Sequence, residues 1–526
     1  MRQVCRARLL LDVRAGRLLQ NRVMPAGDVD MGGLDRAELT GKPAIVCGAR
    51  SETYGELDAR TNRLGNALAA AGVAPLERVA VMLPNGIEIL EIGLATAKIA
   101  AVLVPINWHF KRDEVAWIVA DSGTKVLVAH ASLLDEVMPA LDAAPDCTLV
   151  VVGGGDAGDG RDYERTLANA DDARPDRVGF ETAEFFFYTS GTTGRPRGVE
   201  RDAPKPGAPS TSRALAAMWG FTPDDVWLAA SPLYHAAGAY AFTELHVGAT
   251  VVVMERWDAR EWLRLVEEHR VTATFMVPAH FIRVLEVPEE ERRRHDTSSL
   301  RLILHAAAPC PVPVKRAMLD AFPHVDVWEF YGASEGGATR ISAADWREHE
   351  GSVGLPWPGT EILVLGADGE PVGPGESGLI YIRSPHMTRF RYHGDDAKTA
   401  QAWHGDAFTV GDIGYLDDDG FLYVTDRASD MILRGGVNVY PAEIEQCLHG
   451  HPAVVDCAVF GVPDDRMGEE IEAMVEVREP VDPDELRAYC REHLASFKVP
   501  RRVQIVDALP RNALGKIAKR QLRAAR

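Results

Sequence analysis

Residues 188–200 read YTSGTTGRPRGVE. Glycine, serine and threonine are packed between an apolar run, Phe185-Phe186-Phe187, and two arginines, Arg195 and Arg197. A loop of that composition after a buried strand has one common chemical use. Backbone N–H groups and hydroxyls converge on phosphate oxygens, and glycine lets the backbone come close. The P-loop of nucleoside triphosphatases needs G-x-x-x-x-G-K-[ST]. Here Gly191 is followed by TTGRPRG, so that motif fails. Taken alone, the stretch is a phosphate cradle or a flexible surface turn.

A cradle has to be held by regular elements. From Tyr54 the apolar spacing becomes periodic and predicts a helix over 54–73, a strand over 78–83, a helix over 86–99, a strand over 101–106, a helix over 111–120 and a strand over 125–129. The pattern returns later, with strands at 250–254, 273–277 and 325–330 and helices at 259–269 and 314–321. Strands alternating with helices imply βαβ units and a largely parallel sheet. Stretches rich in Gly, Asp and Pro at 153–162, 203–212 and 366–378 read as loops. From Gly378 the texture changes to short strands, and Asp417-Asp418-Asp419-Gly420 is a tight-turn candidate. After Asp426 a smaller α+β unit begins, with helices at 441–449 and 483–494. Residues 1–35 show little periodicity and read as a loose leader.

At 526 residues the chain is long enough for two or more domains. Apolar residues at 46% and charged ones at 25% allow a large core. A net charge of −20 argues against a nucleic-acid surface and against binding to anionic lipid. Seven scattered cysteines include no C-x-x-C, so a disulfide framework and a metal cluster are both disfavoured and a reducing cytoplasm is expected. The N-terminal apolar run is broken by Asp12 and Arg14, and the most apolar stretch, 89–106, carries Glu91 and Lys98. Neither suits a signal peptide or a membrane span.

Further motifs follow the Gly-rich loop in order. They are SPLYHAAG at 231–238, HAAAP at 305–309, WEFYGASEG at 328–336, a G-x-V-G-x-P-x-P-G stretch at 351–359, VGD at 410–412, DRASDMILRGGVNVYPAEIE at 426–445 and PRNALGK at 510–516. Together with the first loop they resemble the adenylate-forming superfamily, acyl-CoA synthetase type, over roughly residues 40–526. The resemblance implies an α/β fold: a large N-terminal domain over 36–427, built of βαβ sheets plus a distorted β-barrel, and a small mobile α+β C-terminal domain over 428–526. It implies joining of a carboxylic acid to AMP with release of pyrophosphate, then transfer of the acyl group to a thiol. ATP, Mg2+ and coenzyme A would be required.

The resemblance also implies roles. Thr189, Ser190, Gly191, Thr192, Thr193 and Gly194 would cradle the β- and γ-phosphates, with Arg197 where the family usually has Lys. A guanidinium supplies charge as a fixed fork and not as a mobile point. Ser334 would bond the α-phosphate, and Glu335 would hold Mg2+. Tyr331 would stack on adenine, with Glu329, Ala307, Ala308 and Gly332 around the base. Asp412 would accept both ribose hydroxyls, assisted by Arg427. Read without the family, Glu335 is a solvated loop acid, Tyr331 a buried aromatic, and Asp412 with Arg427 a salt bridge. Lys516, otherwise one Lys of a basic tail, would stabilise the charge developing in adenylation. Ser429 falls at the hinge, where the family usually has Asp or Lys, and Gly435-Gly436 would flank the thiol tunnel.

Tyr234, His235, Ala236, Ala237, Met276, Ala279, His280, Phe281, Ala306 and Gly332 form the candidate acyl pocket. The set has no acid to hold an ammonium and no Arg to hold a second carboxylate, so amino acids and dicarboxylates are disfavoured. A medium- or long-chain fatty acid ranks first, an aryl acid second, a sterol side chain after them. His235 reads as pocket wall or gate. The run 203–212, APKPGAPSTS, is longer than the family's usual continuation and reads as a surface turn before a lid. Three functions compete: a CoA ligase; an enzyme loading a carrier protein in trans, since no fused carrier motif follows Lys516; and a nucleotide binder with lapsed catalysis, suggested by Arg197 and Ser429. Retention of Glu335, Asp412, Arg427 and Lys516 favours catalysis. The partners expected are a small carboxylic acid, ATP and CoA, with a homodimer as an allowed assembly.

Overall fold

The computed structural model describes residues 29–524 apart from 155–160, 177–178, 190–195, 203–209, 236–237, 385–388, 429, 435–436, 465 and 512–515. The chain divides into two compact units. The first takes residues up to Gly198, Asp202–Arg256 and His269–Thr272; the second takes Val199–Arg201, Trp257–Glu268 and the chain from Ala273 onward.

The first unit runs through β1 (Pro43–Cys47), β2 (Arg50–Thr53), α1 (Tyr54–Ala70), β3 (Arg78–Met82), α2 (Ile87–Lys98), β4 (Val102–Pro105), α3 (Arg112–Ser122), β5 (Val126–His130), β6 (Thr148–Val152), β7 (Glu184–Phe185), β8 (Phe187–Thr189), β9 (Arg197–Arg201, whose last three residues belong to the second unit), β10 (Val226–Ala229), α4 (Gly238–Val247) and β11 (Thr250–Val253). Local sequence explains the starts of these elements. Thr53 and Glu56 form a reciprocal capping box: Glu56 N–H donates to Thr53 Oγ1 at 3.3 Å, and Thr53 N–H to Glu56 Oε2 at 2.8 Å. β6, β5, β3, β4 and β7 lie side by side, all parallel. Both faces of such a sheet are covered, so β3, β4 and β5 read as continuous apolar runs rather than alternating ones. Glu91, fully buried on α2, is matched by the Arg60 guanidinium and by the Tyr163 hydroxyl, which donates to it at 2.8 Å.

The second unit contains α5 (Ala259–Glu268), β12 (Ala273–Met276), α6 (Pro278–Glu286), β13 (Leu302–His305), α7 (Val312–Ala321), β14 (Asp326–Ala333), β15 (Gly336–Ile341), β16 (Glu361–Leu365), β17 (Gly378–Arg383), β18 (Phe390–Tyr392), β19 (Asp412–Leu416), β20 (Leu422–Arg427), β21 (Ile432–Arg434), β22 (Val437–Val439), α8 (Pro441–His449), β23 (Val454–Asp464), β24 (Gly468–Val477), α9 (Pro483–His493), β25 (Arg502–Val506) and α10 (Lys519–Ala524). β12, β13 and β14 are parallel, and β15 turns back antiparallel on β14. The strand expected at 325–330 therefore runs on to Ala333, because the returning strand supplies it with a second ladder. The second unit also holds a six-stranded antiparallel sheet, with β16, β17, β19 and β20 among its strands. Its β19–β20 hairpin turns at Asp417–Gly420 as anticipated. Gly420 has φ +86, and Asp417 Oδ1 accepts from the N–H groups of Asp419 and Phe421. After Arg427 a separate core forms from β21–β25, α8 and α9, centred on Ile432, Ile444, Val459, Ile471 and Leu486.

Candidate active site

The Gly-rich loop lies in the first unit. Ser190, Gly191, Thr192, Thr193 and Gly194 fall outside the described residues, but both flanks are fixed. Thr189 ends β8 and Arg197 opens β9. One helix, α3, grips the two flanks. The Tyr188 hydroxyl donates to Asp121 Oδ2 at 2.7 Å, and Trp117 Nε1 donates to the Pro196 carbonyl at 3.1 Å. Trp117 and Asp121 are four residues apart, so they project from one face of the helix.

In the second unit, Ser334 and Glu335 form the turn between β14 and β15. Glu335 is 7% exposed. The Tyr392 hydroxyl donates to Glu335 Oε1 at 2.8 Å, and Arg201 Nη2 donates to the Ser334 carbonyl at 2.8 Å. The turn is close-packed: a Cβ on Gly332 would stand 2.8 Å from the Gly336 carbonyl oxygen, so no side chain fits there.

Beside the turn sit Tyr331, Asp412 and Arg427. Asp412 opens β19 directly opposite Arg427 at the end of β20. Asp412 Oδ2 accepts from the Tyr331 hydroxyl at 2.7 Å, and Oδ1 accepts from Arg427 Nε at 3.2 Å. The salt-bridge reading and the binding-site reading of this acid are thus both compatible with the geometry, since a carboxylate offers about four acceptor sites. Burial, and then Asp412, push the Tyr331 phenol well up, so it stays a donor. Lys516 feels the charges of the same group. Burial, and then the Arg427 guanidinium, push its ammonium down to about 8, while Asp412 pulls the other way.

At the end of β13, Ala306 is buried and Ala307 adopts φ +79, a left-handed conformation rare for a residue with a Cβ. The Glu329 carboxylate, expected at the base edge, accepts from Lys315 Nζ at 2.5 Å, with both side chains buried. Burial pushes that carboxyl up and the Lys315 ammonium offsets it.

The candidate acyl residues belong to both units. In the first, Tyr234 is buried and its ring lies 4.6 Å from that of His235. Asn85 pins this segment by accepting from Leu233 N–H and donating to the carbonyls of Ser231 and Met254. In the second, Met276 is fully buried, and His280, two residues into α6 and next to Ala279, stacks on Trp257 at 3.7 Å. Burial pushes the His280 imidazole down to about 3, so it is neutral. Ala236, Gly435, Gly436 and Ser429 fall outside the described residues.

Among the described residues no three His, Cys, Asp or Glu side chains gather as a metal site. Glu335 nevertheless fits a share in one. It is a hard oxygen donor whose Oε1 partner is a neutral phenol, and Mg2+ commonly takes one or two carboxylates plus substrate phosphates.

Sequence reasoning missed Trp117, Asp121, Asn85, Arg201, Lys315, Trp257 and Tyr392. Trp117 lies on the helix expected at 111–120, but Asp121 falls just past its expected end and shares its face only because the helix runs on to Ser122. Arg201 stands in a strand where a charge is out of place. Tyr392 lies 57 residues from its partner and gave no signal.

Residues 35–391 match the family model described as AMP-binding enzyme, and residues 443–516 match the AMP-binding enzyme C-terminal domain. The chain belongs to the AMP-binding enzyme family. It is an adenylate-forming ligase of the acyl-CoA synthetase type, with a large N-terminal and a small C-terminal part. Among relatives of this AMP-binding enzyme, a feruloyl-CoA synthase from Amycolatopsis sp. is 37% identical over 496 residues, covering 91% of this chain and 95% of that protein. The fatty acid–[acyl-carrier-protein] ligase ScoC of Streptomyces coeruleorubidus is 34% identical over 497 residues, covering 91% and 93%. The crystal structure of the anthranilate CoA ligase AuaEII in complex with anthranoyl-AMP superposes with a TM-score of 0.83 at 26% identity, over 95% of this chain and 99% of that one. Among the described residues no helix is long and apolar enough to cross a membrane.

Proposed function

We propose that the enzyme activates an aromatic carboxylic acid with ATP and transfers the acyl group to CoA. The observation that carries the adenylation reading is Asp412, a buried carboxylate bonded by Tyr331 and Arg427, in whose field the Lys516 ammonium lies. The acid's carboxylate oxygen attacks the α-phosphorus, and the bond to pyrophosphate breaks. Two anions must meet, so cationic and N–H groups have to offset their repulsion. Lys516 supplies positive charge at the reacting groups, Ser334 a hydroxyl at the α-phosphate, and Arg197 charge beside the loop. Asp412 orients the ribose while Tyr331 and Arg427 fix that carboxylate. Glu335 would hold Mg2+, which neutralises phosphate charge when bound. In the second step the CoA sulfur attacks the acyl carbon, AMP leaves with the bonding pair, and the thiol proton passes to solvent.

Neutral residues at the candidate acyl positions support an uncharged acyl group. The feruloyl-CoA synthase relative supports an aromatic acid as the class. A fatty acid is the second reading, favoured by the resemblance to ScoC, which also keeps a carrier protein as the alternative acceptor.

AMP release from Mg-ATP, measured across hydroxycinnamic, benzoic, and medium- and long-chain fatty acids with and without CoA, tests both parts. Release that needs a hydroxycinnamic acid and CoA together is the expected result. A fatty-acid preference would overturn the acyl class. Acid-dependent pyrophosphate exchange with no CoA thioester would transfer the acceptor role to a carrier.

A further inference from the structure

The Ser334–Glu335 turn is held by two paired strands, of which only the first overlaps a motif. Residues Val199–Arg201 of β9 pair antiparallel with β18, Val199 opposite Tyr392 and Arg201 opposite Phe390. Each strand sends one side chain to the turn. Arg201 reaches the Ser334 carbonyl and Tyr392 reaches Glu335 Oε1, both at 2.8 Å. Tyr392 is itself fixed. Its main-chain N–H donates to Thr399 Oγ1 at 2.9 Å, its ring meets Phe390 at 5.3 Å, and Lys398 Nζ lies 5.4 Å from its centroid.

We propose that Tyr392 is a positioning residue for the divalent cation that accompanies ATP: its hydroxyl sets the orientation of the Glu335 carboxylate and leaves Oε2 as the oxygen for the cation. The inference rests on reading Glu335 as the metal carboxylate. A glutamate at a turn has three rotatable bonds, and a ligand that must be ordered on binding costs affinity. A buried hydroxyl removes that freedom in advance. A neutral donor is the suitable choice, because it orients the carboxylate without neutralising the charge that attracts a cation, as an arginine or lysine partner would. Arg201 does the complementary work on the backbone, fixing the turn while leaving the carboxylate alone.

The experiment measures Mn2+ binding to the enzyme–ATP complex by electron paramagnetic resonance, with no acid present so that ATP is not consumed. Tyr392→Phe, Glu335→Gln and the double variant are compared with the parent, with Tm recorded for each. Outer partners of metal ligands typically contribute 10- to 100-fold in affinity. Tyr392→Phe, which keeps the ring, is expected to weaken Mn2+ about tenfold and to raise the Mg2+ needed for half-maximal pyrophosphate exchange by the same factor, leaving KM for the acid unchanged and lowering Tm by no more than the loss of one buried hydrogen bond. The double variant should bind no more weakly than Glu335→Gln alone. Parent-like Mn2+ affinity in Tyr392→Phe, with Glu335→Gln impaired, overturns the inference, as does full additivity in the double variant. Parent-like affinity in Glu335→Gln instead overturns the reading of Glu335 on which it rests.

Discussion

On the proposed mechanism, Lys516 has to be charged where charge is costly. Its ammonium is pushed down to about 8 by burial first and by Arg427 second. Adenylation needs the protonated form, so the pyrophosphate-exchange rate should be level below pH 8 and fall about tenfold per unit above it. Lys516→Arg keeps its charge throughout that range. It should lower the rate, because a planar fork replaces a compact ammonium, yet it should abolish the alkaline limb. A limb that persists in Lys516→Arg would assign it to another group. The same shift has a sign for stability. A lysine whose folded pKa lies below its unfolded one binds fewer protons folded than unfolded between pH 8 and 10.5, so stability rises with pH in that window and the full cost is borne below it. Removing the ammonium should therefore not lower Tm at pH 7. Asp412 is the converse case at residue scale: it is the shared acceptor of Tyr331 and Arg427, and its loss would strand both donors.

At the scale of elements, α3 does what the loop cannot do for itself. The Gly-rich loop is poor in large apolar side chains, and the same helix holds both of its flanks. Asp121 holds Tyr188 before it and Trp117 holds Pro196 after it, from one helical face. Trp117→Phe deletes the N–H and keeps an apolar ring. It should raise KM for ATP by roughly three- to tenfold, the equivalent of one hydrogen bond of about 1 kcal/mol, with KM for the acid unchanged, as initial-rate kinetics would show. An equal rise in both would point to general loosening. This helix was legible in the sequence from its apolar spacing, as were β3, α2, β4 and β5, because each buries a continuous or periodic apolar face. So were Ser334, Glu335, Asp412 and Lys516, each within a motif, though their roles came by resemblance and not by spacing. What was not legible is what joins elements distant in sequence. Tyr392 meets Glu335 only because β18 comes back to the β14–β15 turn, and Lys315 meets Glu329 because α7 lies against β14. A lone tyrosine or a lysine in a helical pattern has the same appearance whether it faces water or a buried carboxylate. Glu329 lies within a motif, yet the lysine that its carboxylate meets lies outside it.

For the whole molecule the question is how a lysine ten residues from the last one of the chain can serve a site built from residues 331–427 and still clear the way for a second substrate. The segment carrying it is tied to the chain after Arg427 on both sides. Arg511 pairs with Asp456 at 2.5 Å, Lys519 with Glu445 at 2.8 Å, and Arg523 with Asp430 at 3.2 Å. Three pairs flank the lysine, so on the proposed mechanism it is expected to leave for the second step together with the C-terminal part, as a body. The two half-reactions should then separate by mutation. Lys516→Ala should lose acid-dependent pyrophosphate exchange by about a hundredfold or more, the usual loss when one group stabilising transition-state charge is removed. Supplied with a synthetic acyl-adenylate and CoA, the same variant should form thioester within two- to threefold of the parent, because that step needs the lysine gone. Loss of both activities in parallel would mean that Lys516 remains at the site throughout, and the domain would then have no reason to move.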